Sequence, residues 1–336
     1  MTMHGKYWLF ILSVALIIVA CWAFMFTQPP SHDTAVAAVP EAKNPTVLPA
    51  KADPRPQALP AAETPQPNDR VDELTAFLEP SADPRDILLL LAMRDSGDKD
   101  DLARLRELLH DTSERAMVLY LIAKFKVEGK YVATEQELAA LKAAAPQNAV
   151  VDDLLSQRAY QQGDITQALY HLQQGAKRNV NSSYQLEYLT LTGGAYLRRN
   201  GYLTIADFTA ITGIAAAYPA SNLGFVTRSC AKYASDANWA NACAQRGQGM
   251  FEYGETTLDR AVGARLALAY MEGDTGPYQN YSDGVQEALI ALGSELDRRM
   301  ADSAGVIDGS AWNRYLQLYA EHGEIIALRY LVSLFP

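Results

Sequence analysis

Apolar and polar positions alternate in two different ways along this chain. From Tyr7 to Phe26 twenty consecutive residues carry no charge, and Ser13 is the one obviously polar member. A helix rises about 1.5 Å per residue, so this run matches the roughly 30 Å of a bilayer core. It predicts a transmembrane helix over 7–26, because the apolar region of a cleavable signal spans only about 7 to 15 residues. From Val71 onward the period is that of a surface helix. Val285, Ala288, Leu289, Leu292, Leu296 and Met300 form one stripe, and helix starts recur. Asp83-Pro84 opens Ile87 to Met93, Asp98 precedes Leu102 and Leu105, and Thr134 with Glu137 spells a capping box. Alternating β-branched runs are absent, so the spacing predicts an all-α region over 71–336, with roughly fifteen helices paired as hairpins.

The stretch between these two regimes follows neither period. Ten of the sixteen prolines fall between Gln28 and Arg70, with no glycine and no aromatic residue. Such a segment buries too little apolar surface to offset its ordering entropy, so 27–70 reads as a disordered spacer of polyproline II character. Lys6 precedes the apolar run and the next basic residue is Lys43. The positive-inside rule then puts residues 1–6 in the cytoplasm and the helical region in a periplasm or outside the cell. A second anchor chemistry is also legible. Ile18-Val19-Ala20-Cys21 resembles a bacterial lipoprotein cleavage box, which would lipidate Cys21. Either anchor holds the remainder to a membrane, and the uncleaved helix makes the bilayer a partner through Tyr7 to Phe26.

One stretch carries a family resemblance. Leu154-Leu155-Ser156, then Tyr160-Gln161-Gln162-Gly163-Asp164, then Ala168, Leu172 and Gly175 together resemble a tetratricopeptide repeat over about residues 151–179. The likeness covers a first helix, a Gly-Asp turn, and a second helix with small residues at the contact. It implies stacked helical hairpins, an α-solenoid, whose curved surface binds a protein or peptide. The chain departs from the pattern at Asp152, where a large apolar residue is expected, and at Val180, where a closing proline is missing.

Cysteine, charge and aromatic usage refine this picture. Cys230 and Cys243 are equidistant from the turn at Ser235-Asp236-Ala237-Asn238, so a helical hairpin brings them to one level and predicts a disulfide in an oxidising space. From Val71 on, 24 Lys and Arg face 34 Asp and Glu, a balance that speaks against nucleic acid as a partner. Trp312, Tyr315 and Tyr319 share one helical face, and are the aromatic candidates for a binding surface.

No catalytic, cofactor or metal motif emerges. Asp95-Ser96-Gly97 and Asp274-Thr275-Gly276 have the form of an aspartic-protease dyad, yet each follows a helical segment and reads as an acidic turn. Asp95, Asp98, Asp100 and Asp101 lack the glycine and glutamate of a calcium loop, and read as helix capping. His110, His171 and His322 stand alone. The expectation is a membrane-anchored interaction or scaffold protein; the alternative is an envelope hydrolase whose carboxylate site leaves no sequence trace.

Overall fold

A proline occupies the first position of the first described helix, where its missing N–H costs nothing. The computed structural model describes residues 67–335, apart from 95, 96, 111, 112, 218, 219, 272, 274 and 304. The membrane helix read at 7–26, Cys21 and the spacer as far as residue 66 lie outside the described residues, as do Asp95, Ser96 and Asp274. Among the described residues, no helix is long and apolar enough to cross a membrane.

Helix α1 spans Pro67–Leu78, so the segment read as spacer loses its last four residues to a helical turn. That turn is fastened in place. The Tyr196 hydroxyl donates to the Arg70 carbonyl at 2.9 Å, and Arg199 pairs with Glu73 at 2.8 Å. Next come α2 (Pro84–Arg94), α3 (Lys99–Leu108) and α4 (Arg115–Lys124). Leu88 to Leu91 of α2 and Met117 to Ala123 of α4 are buried on every face, as expected of helices inside a core. Asp98 caps α3, its carboxylate accepting from the Asp100 N–H.

The chain then forms the one sheet among the described residues, of two strands. Strands β1 (Lys126–Val127) and β2 (Lys130–Tyr131) pair antiparallel. Glu128 and Gly129 both adopt positive φ between them, the two-residue turn that suits strand twist. Helices α5 (Glu135–Ala144), α6 (Ala149–Gln161) and α7 (Ile165–Gly175) follow, then α8 (Gln185–Asn200) and α9 (Ile205–Ala217). The remainder is α10 (Ala220–Lys232), α11 (Ala237–Tyr253), α12 (Thr257–Tyr270), α13 (Gly276–Ser303), α14 (Gly309–His322) and α15 (Glu324–Ser333).

Consecutive helices pack in pairs: α4 on α5, α6 on α7, α8 on α9, α11 on α12, and α14 on α15. Contacts also join elements far apart in sequence, since α1, α2 and α14 all lie against α8. The largest core cluster accordingly runs from Leu74 to Phe335. A second one, around Trp239 and Cys230, joins α6 and α7 to α10–α12. There Cys230 and Cys243 are buried, with Cα atoms 5.8 Å apart and sulfurs 2.03 Å apart.

The aromatic stripe of α14 needs correcting. Trp312, Tyr315 and Tyr319 are 1%, 1% and 3% exposed, so they form no open binding surface. Trp312 stacks on Tyr315 with ring centroids 5.0 Å apart, while Phe208 of α9 meets both rings edge-on. Three large rings at spacings of three and four carry more burial free energy than any other face of α14. That face therefore turns inward, and the side bearing Arg314 and Gln317 meets solvent. Room for the indole comes from Gly193 of α8, where an added Cβ would fall 2.3 Å from a Trp312 ring carbon.

Candidate functional site

Three helix starts built from short polar residues frame the one-sided cleft that contains His171. Thr134 and Glu137 form the capping box of α5. Asn148 caps α6 and Asp164 caps α7 through their side-chain oxygens. Gly163 takes the positive φ that the α6–α7 turn requires. The pair then closes tightly: Ser156 Oγ donates to the Ala168 carbonyl at 2.7 Å, and a Cβ on Gly175 would sit 3.3 Å from Asp152 Cβ. This is the hairpin that resembles a tetratricopeptide repeat, and its two helices occur where the resemblance puts them.

After α7 the chain doubles back. Val180 accepts from the Ala149 N–H and donates to the Gln147 carbonyl, and Asn148 Nδ2 reaches the Ser182 carbonyl. That return carries Arg178 over the first turn of α6. Asp152, 1% exposed, then receives two cations: Lys142 of α5 donates to Oδ1, and Arg178 Nε donates to Oδ2 at 2.9 Å. A carboxylate at this depth needs such partners, because transfer out of water without them is prohibitive. Asp152 is thus the position where the repeat pattern fails, and also the ionic centre of the cleft.

The cleft has two lobes sharing Glu135, Leu138, Leu155 and His171. The larger, about 370 Å³, contains Lys142, Asp152, Arg178 and the half-exposed Tyr170 ring. The smaller, about 150 Å³, runs toward Gln162 and Asp164. Arg158 lines the smaller lobe, donating to the Ala133 carbonyl at 2.7 Å with Glu135 at 3.7 Å. Burial pushes the His171 imidazole below the usual range, and its Nδ1 is enclosed without a hydrogen-bond partner. Tyr170 lies edge-on against it at 5.3 Å. In the sequence His171 reads only as an isolated histidine in a packed or surface role, and Asp152 only as a departure from the repeat. Lys142 and Arg178 carry no sequence signal, since their pairing with Asp152 spans 10 and 26 residues.

A second polar cluster holds the helices behind the cleft. Arg246 of α11, fully buried, grips Asp153 through Nε at 2.9 Å and Nη2 at 2.6 Å, and also meets the Asn181 side chain. Glu255 caps α8 from a distance, accepting from Ser183 N at 3.0 Å and Leu186 N at 2.7 Å. Beside it Asp259 completes the capping box of α12 with Thr256. These carboxylates are spent on helix ends and line neither lobe. The cleft itself holds one buried carboxylate, Asp152, with both oxygens engaged. No group of His, Cys, Asp and Glu among the described residues is arranged to hold a metal ion.

The buried carboxylates set a pH response. Burial, with Glu255 nearby, pushes Asp259 up to about 7. The folded state then holds a proton that the unfolded chain has released, and stability falls as pH rises from about 4 to about 7. Carboxylates with lowered values, such as Glu137 and Glu295, withdraw their support only below that window. Thermal melts are expected to show a higher midpoint at pH 5 than at pH 8, with the slope flattened in Asp259→Asn. An identical midpoint in the wild type at both values would refute this.

No family model matches this chain, and the searches of curated proteins and of solved structures likewise give no match.

Proposed function

We propose that this chain is a membrane-anchored interaction protein that grips a protein or peptide partner in the α5–α7 cleft, outside the cytoplasm. The observation that carries the reading is the cleft itself. It combines an ion-paired floor, an exposed aromatic ring and apolar walls on a rigid helical hairpin, the ingredients of a docking groove. The resemblance of α6–α7 to a tetratricopeptide repeat supports the same reading, with further helix pairs stacking on this one as in a solenoid.

In this reading Tyr7–Phe26 spans the inner membrane with its N-terminus in the cytoplasm, and the proline-rich leash holds the helical domain away from the lipid. At about 3.1 Å per residue the leash reaches at most roughly 130 Å. Lipidation of Cys21 would give the same tether by different chemistry. An oxidising compartment suits the buried pair Cys230 and Cys243. The acidic surface favours a protein partner over nucleic acid.

The test is mild crosslinking of the full-length chain in intact membranes, followed by its purification. The expected result is the chain in the membrane fraction, both late cysteines inert to maleimide without reductant, and a stable partner co-purifying. A chain recovered from the cytosol with both thiols reactive would end the proposal.

A further inference from the structure

We infer that the α5–α7 cleft takes the carboxylate of an Asp or Glu side chain, presented by an extended segment of the partner and seated between Lys142 and Arg178. This rests on the partner-binding reading above and adds the chemistry of what is bound. Two cations share the single carboxylate of Asp152, which leaves one positive charge in excess at the cleft floor. Lys142 keeps further N–H donors after serving Asp152, and Arg178 commits its Nε while its two Nη groups remain.

The surrounding groups leave that excess in place. Glu135, largely exposed, is offset by Arg158 at 3.7 Å, and Asp164, which keeps its charge while capping α7, lines the smaller lobe and not the one that holds Lys142 and Arg178. His171 contributes no second positive charge at neutral pH, because burial favours its neutral form. One bound carboxylate therefore neutralises the cluster. A phosphate carrying two charges would leave net negative charge beside buried Asp152. The rest of the domain is strongly acidic, so an acidic segment is repelled from most of the surface and accepted here. Leu138, Leu155 and the Tyr170 ring line the same space, offering apolar contact to residues flanking the acid.

The experiment pans a phage-displayed random peptide library against the purified full-length protein in detergent. Enriched peptides are expected to share Asp or Glu at one position, and replacing that residue by Asn or Gln should weaken binding about tenfold or more. Lys142→Gln removes the excess charge while leaving Asp152 paired with Arg178, and should cost a similar factor. Lys142→Gln/Asp152→Asn restores an excess of one positive charge through Arg178 alone, and should recover binding that the single variant loses. A merely structural role for Lys142 predicts no such recovery. Enriched peptides with no acidic preference, or unchanged affinity in Lys142→Gln, overturn the inference and leave the partner-binding reading standing. Displacement by inorganic phosphate and not by acetate assigns the site to phosphate and overturns it too. A library that yields no binder at all overturns both.

Discussion

Gly263→Ala is expected to destabilise the protein by about 3 kcal/mol, although alanine ordinarily strengthens a helix interior by about 0.5–1 kcal/mol over glycine. The sign reverses because α11 and α12 touch backbone to backbone. A Cβ at Gly263 would fall 2.4 Å from the Phe251 nitrogen and 2.7 Å from the Gly247 carbonyl oxygen. From the other side, a Cβ at Gly247 would fall 2.6 Å from the Ala267 nitrogen. Neither contact can relax by turning a side chain, so the helices must separate and uncover the core around Trp239 and Met250. Gly293→Ala in α13 is the control, since its Cβ would meet nothing within 4 Å. Urea unfolding should place the two variants on opposite sides of the wild type. A Gly263→Ala protein as stable as the parent would mean that the pair is not so closely packed.

Arg246→Met is expected to cost about 3–5 kcal/mol, the range for leaving one member of a buried ion pair alone. Arg246 and Asp153 lie in different helices, 93 residues apart in sequence, both almost wholly out of solvent. Removing the guanidinium strands the Asp153 carboxylate and frees the Asn181 side chain, so the cost comes chiefly from the charge left behind. The double variant Arg246→Met/Asp153→Leu should therefore recover most of the loss, since exchanging both ionic partners for apolar ones is often close to neutral. If the double variant were as unstable as the single one, the deficit would lie in packing rather than charge.

What the sequence reveals about this protein depends on how far apart the cooperating residues are. Signals contained within one turn are legible. Thr134 with Glu137, Asp98, and Pro84 start helices where their local chemistry demands, and the apolar stripe of α13 contributes Val285, Leu296 and Met300 to the buried set. Cys230 and Cys243 are legible for a related reason, because symmetry about one turn fixes their separation. The β1–β2 hairpin escapes, since two-residue strands are too short to show alternation; the Glu128-Gly129 pair is its only trace. Pro67 reads as part of the spacer because proline breaks a helix interior yet suits its first turn. Trp312, Tyr315 and Tyr319 do share one face, but periodicity alone cannot say whether an aromatic face looks inward or outward.

The cleft is the least legible part. Its ionic centre joins α5, α6 and the segment after α7, a convergence that depends on Val180 pairing beside Ala149. The one hint in the sequence is Asp152 itself. An acidic residue at a position that the helical pattern reserves for the core must find cations, and such violations of local consistency concentrate at functional or strained sites.

The most direct test of the cleft as the partner's seat is site-specific photocrosslinking in living cells. A photoreactive phenylalanine analogue replaces Tyr170 in the full-length chain, and, as a control, Tyr202, which is similarly exposed but distant in sequence from the cleft helices. The expected result is one discrete adduct from position 170 in the membrane fraction, abolished by Lys142→Gln and absent from position 202. Equal labelling from both positions, or no adduct from position 170, would contradict it.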